Sequence, residues 1–525
     1  MKKRIALVLL LLPLFLHFPA AVEDEWMNSL GKVSSIISVI ESNYYQPVDS
    51  EKLIYASIRG ALETLDPHSY FLDPENFARM REDFTGKFYG LGIQITKQED
   101  RIVVLSTVEG TPAWRLGIQP GDVISRINGE STKPLSSFDA MQKLRGEKGT
   151  KVNVTIVREG LEKPLELTVI RGEIPLYSIS YAFMLQGDVG YVFVRNFAET
   201  TDEELEQKLV SLRGQGMKSL ILDLRYNTGG PLFQAVEVSD EFLPRGAKIV
   251  SIKGRNKAYD KEFFAIREGQ YEKVPLVVLT NQGTASASEI VAGAVMDNDR
   301  GLIVGEDSWG KGLVQTVFPL GPNVAVALTT GKYYTPSGRS IQRDYSHIED
   351  YLMNKSTPPV GEREVRYTLK GRKVLGQGGI TPDYEVKGSV KPLTAELTFR
   401  GAFFSYGLKF ASHLTPLSKK CIFPKEEKGP AEASSEKLLL SSDFVVTLEM
   451  VEDFKSYVQS LKIEFAPEKF NDAEGEIKRE IMREVASAVF GAEEGMRAYR
   501  KADPVVLKAL EVLSQAANFI ESQKP

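Results

Sequence analysis

The segment VPLVVLTNQGTASASEIVAGAV, residues 274–295, decides the fold of this chain. It begins with a short apolar run, continues through a turn of small and polar residues, and ends in small and apolar residues at helical spacing. The apolar run predicts a buried strand, and the residues after the turn predict a buried helix. The segment therefore predicts a strand–turn–helix unit of a layered α/β domain.

The same pattern returns elsewhere in the chain. A strand-like segment runs into a glycine turn in KSLILDLRYNTGG (218–230), and a helix-like segment over 201–216 precedes it. Further strands are predicted in VGYVFVRNF (189–197) and in LIVGEDSWGKGLVQTVFPL (302–320). Repeated units of this kind predict a layered α/β core whose functional residues lie where the strands end.

The composition excludes several classes of protein. The chain has 525 residues, of which 42% are hydrophobic and 26% are charged, as in globular proteins. At roughly 100–200 residues per domain, this length predicts about three or four domains. A net charge of −5 argues against nucleic acid as a partner. The single cysteine, Cys421, excludes an intrachain disulfide and a multi-cysteine metal site.

The N-terminus has the composition of an export signal. Basic residues at 2–4 precede an apolar run over 5–18, and Ala20 and Ala21 follow. This order predicts a signal peptide over 1–21 that is removed near Ala21, with retention as an N-terminal anchor as the alternative. We therefore expect an exported protein of a bacterial periplasm or cell envelope, with membrane association left open.

Helical and β-rich regions flank the α/β segments. Residues 22–85 carry apolar residues at helical spacing, interrupted by prolines. Residues 86–172 change to short strands separated by PGD and NGE turns. The α/β core follows over 173–390, and a helical C-terminal extension over 391–525 contains a polar linker near 423–437. The sequence therefore predicts a multidomain α/β protein with helical ends.

Two serines lie in the turn between the buried strand and its helix. Ser286 and Ser288 would stand at the start of the helix, where free N–H groups and the positive end of the helix dipole stabilise an oxyanion. Serines in this position also cap helices. From this segment alone, capping is the simpler interpretation and a nucleophile is the alternative.

A serine nucleophile needs a base, and the chain has only four histidines. His17 lies in the predicted signal, His347 in a charged loop and His413 in the C-terminal helices. His68 lies in a proline-rich segment that favours a packing or capping role. A hydrolase that depends on one of the last three remains an alternative hypothesis, but none of them lies at a core strand end.

Lysine is the other candidate base, because burial lowers the pKa of its ammonium. Lys311 lies between Gly310 and Gly312, whose lack of a side chain lets the backbone approach another segment closely. Gln315 would face the same side as Lys311 in an extended segment and would orient it. A solvated surface lysine is the alternative interpretation.

The glycine turn after the strand at 218–224 is the third candidate element. Its residues Asn227 and Thr228 precede Gly229 and Gly230. Backbone N–H groups in such a turn can supply a second oxyanion donor. An ordinary left-handed turn is the alternative.

Together these segments resemble the carboxy-terminal processing proteases, the tail-specific members of serine peptidase family S41. The similar motifs are GTASASEI, GKGLVQ, DLRYNTGG, YYTPSGRSIQ, GGITPD and LDPHSYFL, and the resemblance spans about residues 30–390. It implies a crotonase-like layered α/β protease core. It implies no metal and no organic cofactor.

The resemblance also implies roles for individual residues. The family's spacing from serine to lysine fits Ser286 and Lys311. Ser286 would attack the peptide carbonyl, and Lys311 would act as general base and then as general acid. Gln315 would position Lys311. The oxyanion donors would be the backbone N–H groups of Ala287 and of Gly229 or Gly230.

Residues 86–172 resemble a PDZ domain, which implies capture of an extended C-terminal peptide by strand addition. Packing within the protein or gating of the active site is the alternative role. Arg145, in KLRGEKG, is expected on a solvated face. The loop that would bind the peptide carboxylate consists of Tyr89, Gly90, Leu91 and Gly92.

The expected function is that of an exported serine endopeptidase with a Ser–Lys dyad that recognises protein substrates by apolar C-terminal tails. A non-catalytic peptide-binding scaffold with the same fold is the alternative. A homodimer through the helical termini and a regulatory adaptor are left open as further partners.

Overall fold

The computed structural model describes residues 20–388, 390–423 and 438–521. The predicted signal over 1–21 and the polar linker near 423–437 lie almost entirely outside these residues. No helix in the described ranges is long and apolar enough to cross a membrane.

The chain forms two compact units. Of the described residues, the first unit contains those up to Phe77 and the segment Thr316–Leu328, and the second contains Ala78–Gln315 and those from Thr329 onward.

The first unit contains helices and a short strand. Helix α1 covers Ala20–Asn43 and helix α2 covers Ser50–Glu63, where the Asp49 side chain accepts hydrogen bonds from the first N–H groups. Strand β1 (Tyr70–Leu72) pairs antiparallel with residues 325–327. This strand lies inside the region predicted to be helical, because its partner is distant in sequence and leaves no local pattern.

Helix α3 covers Pro74–Thr85, and its residues from Ala78 onward belong to the second unit. The β-rich module follows this helix. Strands β2 (Lys87–Gly90) and β9 (Gly172–Pro175) pair antiparallel and mark where the chain enters and leaves the module. Between them, the sheet follows the order β3-β4-β5-β7-β8, so that β3 is an edge strand. Its elements are β3 (Ile93–Gln98), β4 (Arg101–Thr107), α4 (Pro112–Arg115), β5 (Val123–Ile127), β6 (Glu130–Ser131), α5 (Ser137–Leu144), β7 (Lys151–Val157) and β8 (Leu165–Ile170).

Helix α5 starts with a serine cap, Ser136. The Ser136 hydroxyl oxygen accepts a hydrogen bond from the Asp139 N–H at 3.1 Å, and the Asp139 carboxylate accepts one from the Ser136 N–H at 3.0 Å. This reciprocal capping box satisfies two N–H groups at the start of the helix. The helix contacts the edge strand β3.

The α/β core follows the module. Its first half contains β10 (Ile179–Gln186), β11 (Val189–Val194), α6 (Thr201–Gly214), β12 (Ser219–Asp223), α7 (Leu232–Asp240), β13 (Lys248–Gly254) and β14 (Lys261–Phe264). Its second half contains β15 (Leu276–Thr280), α8 (Ala287–Asp297), β16 (Leu302–Gly305), β17 (Leu313–Pro319), β18 (Ala325–Tyr334), α9 (Ile348–Leu352), β19 (Val365–Tyr367), β20 (Lys373–Leu375) and β21 (Tyr384–Glu385).

The C-terminal region is helical, as predicted. It contains α10 (Pro392–Phe399), α11 (Ala402–Ala411), β22 (Cys421–Ile422), β23 (Leu438–Leu439), α12 (Leu448–Ser460), α13 (Pro467–Phe490), α14 (Ala492–Lys501) and α15 (Pro504–Glu521). Most of these helices share a core of their own, in which Phe403 stacks on Phe454 with ring centroids 4.8 Å apart.

The central sheet of the core is covered on both faces. Strands β11, β12, β15 and β16 pair in parallel, in the order β10-β11-β12-β15-β16-β21. Leu220 and Leu222 point toward α6, α7 and α8, whereas Ile221 points toward α15. This alternation explains the apolar runs in the sequence, because a parallel strand covered on both sides needs apolar residues at every position.

Candidate active site

The turn between β15 and α8 places Ser286 in an unusual backbone conformation, with φ 56° and ψ −116°. A non-glycine residue in such a region costs about 1–3 kcal/mol, so the surrounding contacts must hold it there. The Thr284 hydroxyl donates to the Leu224 carbonyl at 2.8 Å, and the Ala285 N–H donates to the Asn227 carbonyl at 2.9 Å. The turn is therefore tied to the end of the neighbouring strand.

The structure distinguishes the two serines of this turn. Ser288 is fully buried, and its hydroxyl donates to the Asn227 carbonyl at 3.0 Å. Ser286 is partly exposed at the residue preceding α8. Ser288 thus has a structural contact, whereas Ser286 occupies the strained and accessible position.

The glycine turn lies directly against the serine turn. A side chain on Gly229 (φ 100°) would place its Cβ 2.9 Å from Ser286 Cβ and from the Ala287 nitrogen. A side chain on Gly230 would meet the Phe197 carbonyl oxygen at 2.1 Å. Both positions therefore require glycine, and the predicted oxyanion elements are brought together.

The backbone N–H of Gly229 has a partner within the glycine turn. The Gly229 N–H donates to the Asn227 side-chain oxygen at 2.9 Å. Asn227 is fully buried, and its side-chain nitrogen donates to the Val194 carbonyl at 2.9 Å. The Gly229 N–H is thus engaged within the turn.

Lys311 lies in a loop whose backbone is held tightly. The Gly310 backbone (φ 85°) has no space for a side chain, since a Cβ there would lie 2.7 Å from Arg343 Cγ. The Gly312 N–H donates to the Gln342 side-chain oxygen at 2.8 Å. Lys311 itself is partly buried. The glycines allow the close backbone approach that the sequence predicted.

Glu289 connects this loop to the serine turn, and the sequence reasoning missed it. Its carboxylate is fully buried and accepts hydrogen bonds from the backbone N–H groups of Ser286 (2.8 Å), Gly310 (2.7 Å) and Lys311 (2.9 Å), and from the Ser308 hydroxyl. Burial raises the pKa of Glu289, although these hydrogen bonds oppose that rise. The pattern Ser-x-x-Glu at a helix start was the available sequence signal.

Tyr333 makes a second connection between the same two segments. Its hydroxyl donates to the Ser286 carbonyl at 3.2 Å, and its N–H donates to the Gly312 carbonyl at 2.9 Å. Burial holds the pKa of Tyr333 well above its usual value, and the nearby Glu289 carboxylate raises it further. The phenol therefore stays protonated and remains a donor.

Gln315 lies in β17, and its amide donates to the Thr329 hydroxyl at 3.3 Å. The structure thus places Gln315 on the strand that continues directly from the Lys311 loop.

The histidines have contacts of other kinds. His347 is exposed and precedes the short helix α9. The His413 ring nitrogen Nδ1 lies 2.7 Å from the Ser418 carbonyl, and its ring stacks on Phe423. The His68 backbone N–H donates to the Asp66 carboxylate at 2.8 Å, so the capping group of this turn is Asp66.

In the β-rich module, the predicted carboxylate loop connects β2 to the edge strand β3. Tyr89 and Gly90 pair with β9, and Leu91 is buried in the module's core. A Cβ on Gly92 (φ 83°) would lie 2.2 Å from the Thr111 hydroxyl, so this position requires glycine. The loop therefore stands at the start of the edge strand, where a peptide would be added.

Arg145, at the end of α5, does not lie on a solvated face, so that expectation is wrong. Its guanidinium pairs with the Glu82 carboxylate at 2.5 Å and stacks 4.3 Å from the Phe88 ring centroid. Glu82 lies in α3 and Phe88 in β2, more than 50 residues before Arg145, and such contacts leave no local signal in the sequence.

Comparison with known proteins identifies the class. Residues 188–350 match peptidase family S41, residues 90–169 match the PDZ domain, and residues 18–76 match the activating protease CtpB N-terminal domain. These matches define a peptidase of family S41 that carries a PDZ domain, and they confirm the predicted multidomain fold.

Individual relatives agree with this class. The carboxy-terminal-processing protease of Bartonella bacilliformis is 36% identical over 397 residues, covering 72% of this chain and 91% of that protein. The carboxy-terminal processing protease CtpB of Bacillus subtilis is 33% identical over 327 residues, covering 62% and 68%. The solved photosystem II D1 C-terminal processing protease is 27% identical and covers 71% of this chain and 95% of that chain, with a TM-score of 0.36. The chain belongs to the carboxy-terminal processing proteases of family S41, and it is a serine peptidase.

Proposed function

We propose that the peptidase cleaves peptide bonds with a Ser–Lys dyad formed by Ser286 and Lys311. The neutral Lys311 amine takes the proton from the Ser286 hydroxyl as its oxygen bonds to the substrate carbonyl carbon. The C–N bond then breaks, and the proton passes to the leaving amine. Water releases the acyl group in the reverse sequence. The observation that carries this proposal is that one buried carboxylate, Glu289, holds the backbones of both residues.

The oxyanion would be bound by two backbone N–H groups. Ala287 supplies the first, because it follows Ser286 at the start of α8. We assign the second to Gly230, because the Gly229 N–H already donates to Asn227. Gln315 would position Lys311 from the adjacent strand.

The PDZ domain would bind the apolar C-terminal tail of a substrate. Strand β3 is the edge of its sheet and contacts helix α5, and a substrate tail would add to β3 as a further strand. The loop Tyr89–Gly92 precedes this edge and would receive the tail carboxylate.

The cellular setting belongs to the same proposal. The basic and apolar N-terminal segment favours export to a bacterial periplasm or cell envelope.

A homodimer through the helical termini is also proposed. Leu30, Val33, Ile36 and Val39 of α1 are 44–60% exposed, which is unusual for an apolar helix face in a monomer. Analytical ultracentrifugation of the wild type and of the double variant Val33→Asp with Ile36→Asp tests the homodimer. Identical masses of the two proteins in solution would exclude this interface.

The dyad is tested by cleavage of a model protein with an apolar C-terminal tail. Ser286→Ala and Lys311→Ala should each abolish cleavage, while the exposed controls Ser211→Ala and Lys332→Ala should retain it. Unchanged cleavage by either dyad variant would exclude the mechanism. Tail binding without turnover by the wild type would favour the non-catalytic scaffold instead.

A further inference from the structure

A buried ion cluster lies where the glycine turn leaves strand β12. The Arg225 guanidinium contacts Asp223 at 2.6 Å and Asp503 at 2.8 Å and 3.2 Å. Arg500 contacts Asp503 at 2.8 Å and stands 3.8 Å from Asp223. Asp223 is fully buried, and Arg225 and Asp503 are less than one tenth exposed. Two acidic and two basic side chains thus balance each other inside the protein.

The members of this cluster come from distant parts of the chain. Asp223 is the last residue of strand β12 and Arg225 follows it, whereas Arg500 lies in the last turn of α14 and Asp503 precedes α15. Asp503 also accepts a hydrogen bond from the Val505 N–H at 2.9 Å, so it caps the helix that covers the sheet. Residues 500–503 lie beyond the segment that matches the S41 family, which ends at residue 350.

The cluster is continuous with the predicted oxyanion turn. Arg225 stands two residues before Asn227, which accepts hydrogen bonds from Gly229, Ala285 and Ser288. The Tyr226 N–H between them donates to the Asn281 side chain at 2.8 Å. Asp223 lies only two residues before Arg225 and cannot tie it to another element, so Asp503 is the carboxylate of the cluster that does so.

Burial alone would raise the pKa of Asp503, but the Arg225 and Arg500 guanidinium groups hold it below its usual value. The carboxylate is therefore charged at neutral pH, and its bond to Arg225 is a two-point, charge-assisted contact. Such a contact restricts both the position and the rotation of the guanidinium.

We propose that Asp503 is a positioning residue for the oxyanion turn, so that the C-terminal helices form part of the catalytic unit. This inference rests on the proposed dyad mechanism. Loss of Asp503 would release Arg225, shift the Asn227–Gly230 turn, and weaken the oxyanion contact more than substrate binding. Loss of one oxyanion donor costs about 10²–10³ in kcat, and a displaced donor should cost at least roughly tenfold.

The test measures kcat, KM and the affinity of a peptide boronic acid, which forms a tetrahedral adduct with a reactive serine. Three variants of the full-length protein are compared with the wild type. They are Asp503→Asn, the double variant Arg500→Gln with Asp503→Asn, and Asp443→Asn. The double variant removes one charge of each sign and so restores the balance of the cluster. Asp443 is the matched control, because it forms an exposed ion pair with Lys501, the neighbour of Arg500 in α14.

We expect both Asp503 variants to lower kcat at least about tenfold and to weaken boronate binding in parallel, with KM changed less than about twofold. The double variant should regain thermal stability but not kcat. The inference would be overturned if the folded double variant had the kcat and the boronate affinity of the wild type. It would also be overturned if kcat and boronate affinity rose from Asp503→Asn to the double variant in step with thermal stability. Absence of Ser286-dependent cleavage in the wild type would instead refute the proposed function.

Discussion

The Glu289 side chain connects the two segments of the proposed catalytic site. Its two carboxylate oxygens accept backbone N–H groups from the serine turn and from the lysine loop. A helix capping pattern in the sequence points to the first of these contacts. The contacts to Gly310 and Lys311 depend on how two separate loops pack, so no local pattern predicts them.

Replacing Glu289 by Gln should lower kcat at least about tenfold while the protein stays folded. One carboxylate oxygen becomes an NH₂ group that faces N–H donors, and an unsatisfied buried donor costs about 1–3 kcal/mol. Peptide cleavage and denaturant unfolding measure the two effects. Glu203→Gln, an exposed glutamate near the start of α6, should change neither. Wild-type kcat in Glu289→Gln would show that the link is not needed.

Glu241 predicts a pH effect on stability. Burial raises its pKa from 4.5 to about 7, and Asp202 adds to the rise, although Arg267 opposes it. Between these values the folded state binds more protons than the unfolded state. The free energy of unfolding therefore falls as pH increases through this window.

Glu241→Gln should remove this loss of stability. From about pH 5 to about pH 8, the wild type should lose on the order of 1–3 kcal/mol more than the variant. Urea unfolding at both pH values measures the difference. Glu262→Gln, which alters an exposed pair with Lys248, is the control and should follow the wild type. Equal pH dependence in Glu241→Gln and the wild type would contradict the prediction.

At the level of elements, helix α15 completes the peptidase core. Val505, Val506, Ala509 and Val512 pack against the face of the sheet that α6, α7 and α8 leave uncovered. The apolar strands in the sequence indicated a buried sheet. Which helix covers its second face was not predictable, because any of the apolar C-terminal helices would satisfy that pattern.

Val506→Ala should therefore destabilise the core by about 2 kcal/mol, since it opens a cavity in a fully buried contact. Leu507 is the next residue on the same helix but is 48% exposed. Leu507→Ala should change stability by less than about 0.5 kcal/mol. Denaturant unfolding compares the two variants, and equal losses would mean that α15 is not part of the core.

At the level of the whole molecule, the PDZ edge and the peptidase site are expected to act on one substrate. Amidation of a substrate's C-terminus removes the carboxylate that the loop Tyr89–Gly92 would bind. KM should rise roughly tenfold, about 1.4 kcal/mol, while kcat stays the same. Steady-state cleavage of matched free and amidated substrates measures this. A short peptide with only the scissile bond should not distinguish the two forms, and an equal KM for the long pair would exclude tail recognition.

The sequence by itself determined the fold class and the family resemblance. It also determined that the Lys311 loop and the turn at Gly229 and Gly230 need glycine for a close backbone approach. These features depend on short-range patterns: apolar strands, turn residues and motif spacing. The scarcity of histidine also favoured Lys311 as the base. The tertiary structure alone decided which serine is accessible, that the Gly229 N–H is engaged, that Glu289 contacts the serine turn, and that Asp503 contacts Arg225. Those contacts join residues far apart in sequence, and their energies depend on burial that only the folded chain creates.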